Sequence, residues 1–323
     1  MMGSNVTNED NEEVISSIDS PIMPVKGESN GGLILEDKPK DTDYIFGASP
    51  VKKEIRRPDG QWDDCLPVKE LQRKRIETNA CVSFSADNNL EIIHKYLYHH
   101  EPNYSDRFTA KMSGTNPNSG NSMSRVADSI RHSGMVSEEQ WPYPDNLQSK
   151  YDYYSTVTAN IVEQGKEWLK QYEVNYEWIY NWTRFSQAQK TAKLIEALQY
   201  NPIQVSVNLG AGKDADGFYR TTNVKANHAV TLYGYVLGEY WKIFDHYEGV
   251  YKKLAWNFNF NHAMQYTITK KPPLYEVQKE GRVDGRRFPK GSFVNKAQAF
   301  RFIATSKDYV LYLFKRLGSL IKK

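Results

Sequence analysis

Ala80-Cys81-Val82-Ser83-Phe84-Ser85-Ala86 opens the run on which the reading of the fold turns, and the run continues through Leu90, Ile93 and Leu97. Val82, Ala86, Leu90, Ile93 and Leu97 recur every three or four residues, so the spacing predicts a helix with one buried stripe and Cys81 in its first turn. Unpaired N–H groups and the positive end of the helix dipole favour thiolate there, and the thiolate is the nucleophilic form. A cysteine at a helix start can equally be a small core residue.

Two later segments bear on that choice. Asn227-His228-Ala229-Val230 leads into Thr231-Leu232-Tyr233-Gly234-Tyr235, and after a turn at Leu237-Gly238-Glu239 comes Tyr240-Trp241-Lys242-Ile243-Phe244-Asp245-His246-Tyr247. Both are apolar and β-prone, so they are expected as successive strands that deliver His228 and Asp245 from neighbouring ends. The order is Cys, His, carboxylate, with His228 147 positions after Cys81. Read alone, His228 can be a core histidine and Asp245 a turn aspartate that caps a strand.

On these residues the chain resembles the papain-like cysteine peptidases. Gly134-Met135-Val136-Ser137-Glu138-Glu139-Gln140-Trp141-Pro142-Tyr143-Pro144 is similar to the family's segment between lobes, and Ala197-Leu198 with Asn201-Pro202-Ile203-Gln204-Val205-Ser206-Val207 is similar to its helix and strand. The resemblance spans roughly residues 60 to 270. Its wording, Ala80-Cys81-x-Ser83-Phe84-Ser85, Ser105-Asp106-Arg107-Phe108 and Asp245-x-Tyr247-Glu248, looks closest to divergent bacteriophage-encoded members. It implies an α+β fold of two lobes, one helical and one β-rich, with the active-site cleft between them. The activity it implies is peptide-bond hydrolysis, in phage maturation or virion-associated proteolysis, by a Cys81-His228-Asp245 triad that uses no metal or cofactor. The family usually places Asn where Asp245 stands, and Trp where Tyr247 stands to shield the triad from water. It also requires an oxyanion donor beside the Cys81 N–H, a Gln six residues before the cysteine. Arg75 occupies that position and Gln72 is nine before, so Gln72 serves only if the loop is longer by three residues. Gly120, and Asn227 beside the histidine, are the expected substrate-binding positions. The other reading is a weak or inactive papain-like assembly protein of a virion, which binds partners through its ends.

Those ends differ from the middle. Residues 1–42 are polar and read as a flexible arm, apart from an apolar patch at Gly31-Gly32-Leu33-Ile34-Leu35. Residues 43–272 form the expected peptidase domain. Residues 273–323 form a basic tail: from Leu274 onward it carries twelve Lys and Arg against four acidic residues, and Lys296–Lys323 reads helical. Such a tail can meet another virion protein, nucleic acid or an anionic membrane. The aromatic stretch 147–200 also reads as helical, with Trp168, Trp178 and Trp182 as packing residues.

Composition excludes some classes. Across 323 residues the net charge is +3, so bulk charge names no nucleic-acid or membrane partner. No apolar run is long enough to span a bilayer, and a secretion leader is not expected. Two cysteines, Cys65 and Cys81, argue against a disulfide-stapled secreted enzyme, so a host-cytoplasmic or virion-associated location is expected. Cys65, two residues before Pro67, is read as a bystander thiol. His99 and His100 lack the partners of a metal site and read as solvated.

Overall fold

The structure, a computed structural model, describes residues 32–35, 39–41, 43–51, 53–181, 185–247 and 250–272, and five short strands beyond them. Helix α1 (Cys81–Tyr98) begins at the cysteine, as the apolar spacing predicts. It is buried on every side from Cys81 to His94, a wider burial than one stripe supplies. The reason is its position between two cores. Ile92 joins the sheet core around Trp62, Val205, Val230, Leu232 and Trp241, while Ala80 and Phe84 join a helical core with Ala110, Tyr143, Tyr153 and Tyr154.

A helix buried all round must satisfy its polar side chains internally. Asn89 Nδ2 donates to Ser85 O (2.7 Å) and to Thr231 Oγ1 (2.9 Å). Gln204 Nε2 donates to Val82 O (2.9 Å) and Ser85 Oγ (2.6 Å), and its own Oε1 accepts from Tyr266 (2.9 Å). These bonds fasten the first three turns of α1 to the sheet, which fixes where Cys81 stands relative to the strand that carries His228.

The helical part also contains α2 (Asp106–Met112), α3 (Met123–Ser133), α4 (Lys150–Tyr153) and α5 (Ala159–Gln171), with α6 (Gln187–Leu198) preceding the next strand. In Ser105-Asp106-Arg107-Phe108, the Ser105 side chain caps α2 by accepting from Phe108 N. Arg107 donates to Tyr153 O (2.7 Å) and Pro142 O (3.0 Å) and so holds the chain after the Trp141-Pro142-Tyr143 segment.

Seven strands form one mixed sheet: β1 (Tyr44–Ile45), β2 (Tyr172–Asn181), β3 (Ile203–Val207), β4 (His228–Val236), β5 (Tyr240–Phe244), β6 (Tyr251–Ala255) and β7 (His262–Lys270), in the order β1-β2-β7-β3-β4-β5-β6. The architecture is therefore α+β, six helices with a seven-stranded sheet. Strands β4 and β5 pair antiparallel with Thr231 opposite Phe244. His228 opens β4 and Asp245 follows the end of β5, so the hairpin brings both to the same end of the sheet.

Two expectations change. The 147–200 stretch is not helical throughout: Tyr172–Asn181 is strand β2, in which Val174, Tyr176, Trp178 and Tyr180 are all buried. Aromatic and β-branched residues fit a pleated, half-buried surface, and sheet pairing decides the outcome over local helix propensity. Of the arm, Gly32–Leu35 is held in place, with Leu33 only 3% exposed. Residues 1–31 lie outside the described residues, as do Trp182, Glu248 and Gly249.

The chain divides into two units, one running through Ile268 and a second made of Lys170–Glu173 with the residues from Thr269 onward. In the second, β8 (Tyr275–Val277) pairs antiparallel with β11 (Phe293–Val294) and β12 (Phe314–Arg316), and β9 (Gly281–Val283) with β10 (Arg286–Phe288). The expected helix over Lys296–Lys323 is thus a strand at Phe314–Arg316, where a ladder to β8 takes the backbone groups. The remaining residues of that stretch lie outside the described ones. No helix among the described residues is long and apolar enough to cross a membrane.

Candidate active site

Three local devices set the site. Asn79 takes a left-handed backbone (φ 57°) immediately before Ala80, and α1 starts at Cys81. Asn227 donates its N–H to Val207 O (3.1 Å), which holds the chain as it enters β4 at His228. Asp245 donates its N–H to Val250 O (2.8 Å), which closes the turn between β5 and β6.

His228 Nε2 donates to Asp245 Oδ1 at 2.8 Å. The Cys81 thiol acts on the charge of the same ring, and with Nε2 taken by Asp245 the other nitrogen, Nδ1, is buried without a hydrogen-bond partner. Burial would lower the His228 pKa. The Asp245 charge and hydrogen bond outweigh it, with a smaller contribution from Cys81, and push the imidazole up to about 10. Asp245 is itself held well below the usual carboxylate range: burial opposes this, but His228, His246 and the Lys252 ammonium together prevail. Imidazole and carboxylate are therefore directly paired, and the charged form of the imidazole is the favoured one.

Lys252 is a member of this group that sequence reasoning missed. Its Nζ donates to Asp245 Oδ2 at 2.5 Å, and both side chains are buried. A signal was present: β6 alternates, with Lys252 and Leu254 inward between exposed Tyr251 and Lys253. A lysine on the apolar face of an alternating strand calls for a buried partner. His246 was also missed. Its ring lies 5.3 Å from that of His228 and 5.2 Å from Phe84. Burial pushes it down to about 3, so it is neutral and donates from Nε2 to Ala229 O (3.1 Å).

Tyr247 lays its ring edge-on to His228, 5.0 Å between centroids, and donates its hydroxyl to Glu77. Gln72 is fully buried beside it. Its Nε2 donates to Glu77 Oε1 (2.6 Å) and Tyr247 OH (3.1 Å), while its backbone N–H donates to His246 O (2.8 Å). Gln72 is thus linked to His228 through Tyr247, whereas Arg75 is exposed. Nothing in the sequence marks Glu77 as the residue that links them.

The expected substrate positions sit near the same place. Gly120 exchanges both its backbone bonds with Asn116, and it is the next residue, Asn121, whose N–H and C=O face outward to an extended chain. Asn227 presents its carbonyl, one residue before the imidazole, to the same chain. Cys65 lies apart in the sheet core, where burial pushes its thiol up. His99 and His100 are exposed.

His228, Asp245 and His246 carry ligating atoms within 4.8 Å of one another. They do not fit a metal ion: His228 Nε2 and Asp245 Oδ1 bond each other, Asp245 Oδ2 holds the Lys252 ammonium, and His246 Nε2 holds a carbonyl.

The structure is thus an α+β protein in which a buried His228–Asp245 pair stands at the end of a sheet and Cys81 opens the helix α1. No family model matches the chain. No curated protein matches it either. Among solved structures it is similar to the digestive procathepsin L 3 of the larval midgut of Tenebrio molitor, with 16% identity, 75% of each chain covered and a TM-score of 0.45. It is also similar to the bromelain protease from Ananas comosus, solved in complex with the E64 inhibitor, with 17% identity, 64% of this chain and 97% of that one covered, and a TM-score of 0.44.

Proposed function

We propose that the protein is a papain-like thiol peptidase, with Cys81 as nucleophile, His228 as its acid–base partner and Asp245 as the group that orients the imidazole. The observation that carries this reading is the His228 ring engaged by Asp245 on one nitrogen and interacting with the Cys81 thiol. The imidazole takes the thiol proton to give a thiolate–imidazolium pair, and the sulfur attacks the substrate carbonyl. As the C–N bond breaks, the imidazolium gives its proton to the leaving amine, and water then cleaves the thioester with His228 as base. The developing oxyanion would be met at the start of α1, with Gln72 as the side-chain donor once its amide turns from Glu77.

A narrower reading, a maturation or virion-associated protease of a bacteriophage, is supported by the wording of the sequence around Cys81, Asp106 and Asp245. The alternative of a catalytically weak assembly protein is favoured by one observation: the Gln72 amide nitrogen is occupied by Glu77 and Tyr247.

The test is alkylation by iodoacetamide followed by peptide mapping, together with hydrolysis of a denatured protein substrate. Cys81 should be labelled faster than Cys65, and Cys81→Ala should hydrolyse nothing. Equal slow labelling of both thiols, with no hydrolysis by the wild type, would remove the peptidase reading.

The pH profile is a second expected result. His228 must be protonated to donate to the leaving amine, and its pKa is pushed up to about 10. The hydrolysis rate should hold through neutral pH and fall only as the pH rises through about 10, which a pH–rate profile of kcat/KM reads directly.

A further inference from the structure

We infer that Glu77 is a positioning residue of the proposed peptidase, a latch whose carboxylate holds the Gln72 amide in its resting orientation and so limits the rate of hydrolysis. The inference rests on the peptidase reading and adds to it the residue that restrains the oxyanion donor.

One carboxylate gathers three donors from three places in the chain. Glu77 Oε1 accepts from Gln72 Nε2 (2.6 Å) and from the Asn79 N–H (2.9 Å), and Oε2 accepts from the Tyr247 hydroxyl. Asn79 is the left-handed residue two before Cys81, and the Tyr247 ring stands edge-on to His228. Gln72 reaches the same turn through its backbone as well. Its carbonyl accepts from Thr78 Oγ1 (3.4 Å), and that oxygen in turn accepts from the Ala80 N–H (3.4 Å). A single side chain, Thr78, therefore links Gln72 to the residue before Cys81, while the Gln72 amide is tied to a negative charge.

The Gln72 amide has two N–H groups and both are spent, one on Glu77 and the other on the Tyr247 hydroxyl oxygen (3.1 Å). Its Oε1 is buried without a partner. An unmet buried acceptor is costly, and a half-turn of the amide would bring Oε1 to the Tyr247 hydroxyl. What opposes the half-turn is the carboxylate, because the turned amide would set its oxygen against a negative oxygen. Hydrogen bonds to an ionised acceptor are roughly twice as strong as those between neutral groups, so the charge of Glu77, more than its shape, keeps the amide where it is. A contact made in the resting protein and broken as the oxyanion forms deepens the ground state and slows the chemical step. The charge adds a second penalty, since a developing negative oxygen drawn to Gln72 approaches a carboxylate. Both penalties fall on hydrolysis alone: alkylation of Cys81 forms no oxyanion and makes no call on Gln72.

The experiment uses the full chain with ¹⁵N in its glutamine side chains, and the Gln72 signal is the one that disappears in Gln72→Ala. Glu77→Gln keeps the size of the side chain and an acceptor for the Asn79 N–H, and removes the charge. The Gln72 amide hydrogens should exchange with solvent slowly in the wild type and about tenfold faster in Glu77→Gln. Hydrolysis of a denatured protein substrate should rise about tenfold in kcat, because a released amide is no longer a minor state, with the Cys81 alkylation rate unchanged. In the Gln72→Ala background, Glu77→Gln should bring no gain. Tyr247→Phe keeps the ring on His228, removes the hydroxyl that holds the other amide hydrogen, and should shift exchange and kcat in the same direction. Circular dichroism reports whether each variant keeps its fold. Exchange needs no turnover, so faster exchange in a chain that hydrolyses nothing would uphold the hold of Glu77 on Gln72 and remove the peptidase reading alone. Unchanged exchange in both folded variants, a kcat that falls in Glu77→Gln, or a gain that survives Gln72→Ala would each overturn the inference.

Discussion

Replacing His228 by alanine is expected to slow Cys81 alkylation and peptide hydrolysis together, by about 10²–10⁴-fold at pH 7. Three losses coincide in that single change. The thiol loses the base that takes its proton, the thiolate loses the imidazolium beside it, and the leaving amine loses its proton donor. Asp245 cannot substitute, because its Oδ1 faces the missing ring and its Oδ2 is held by Lys252. Alkylation by iodoacetamide isolates the first two losses from the third, since it needs a thiolate and no leaving amine. An alkylation rate that survives in His228→Ala would mean that the thiol and the ring do not work as a pair.

Lys252→Met is expected to destabilise the fold by about 3–5 kcal/mol, because it removes one partner of a buried ion pair and leaves the Asp245 carboxylate with an unmet oxygen. The two side chains are 8% and 1% exposed, so solvent screening does little to soften the loss. The midpoint of urea denaturation at pH 7 should fall accordingly, and the double variant Lys252→Met/Asp245→Asn should recover part of the loss by removing the orphaned charge. Choosing pH 7 follows from the direction of each shift. Asp245, held below its unfolded value, contributes stability that is present above about 3.9 and is lost as pH falls through its folded pKa. His228, held above its unfolded value, contributes stability that is fully present below about 6.5. That stability is lost as pH rises through about 10. A Lys252→Met chain as stable as the wild type would show that the ammonium and the carboxylate are independent.

Legibility differed from residue to residue. The helix at Cys81 was readable because apolar spacing is a local property, and the hairpin that carries His228 and Asp245 was readable because its turn and its β-prone flanks are local too. Strand β2 was misread as helix, since its aromatic residues suit either element until a neighbouring strand claims their backbone. Within the site, Lys252 left a trace in the alternation of β6, but Glu77 left none. A loop glutamate gains its role only when Gln72 and Tyr247 arrive at it from 5 and 170 positions away in the chain.

By itself, the amino-acid order determined which elements exist around the thiol, the imidazole and the carboxylate, because helix periodicity and turn chemistry act over a few neighbouring residues. Tertiary structure alone decided that a lysine neutralises the second carboxylate oxygen and that Leu33 is buried between Asn121 and Asn227 rather than in solvent. Both outcomes depend on burial and on backbone groups that find partners far away in sequence. Such groups are stabilised only after the sheet and α1 have closed on each other.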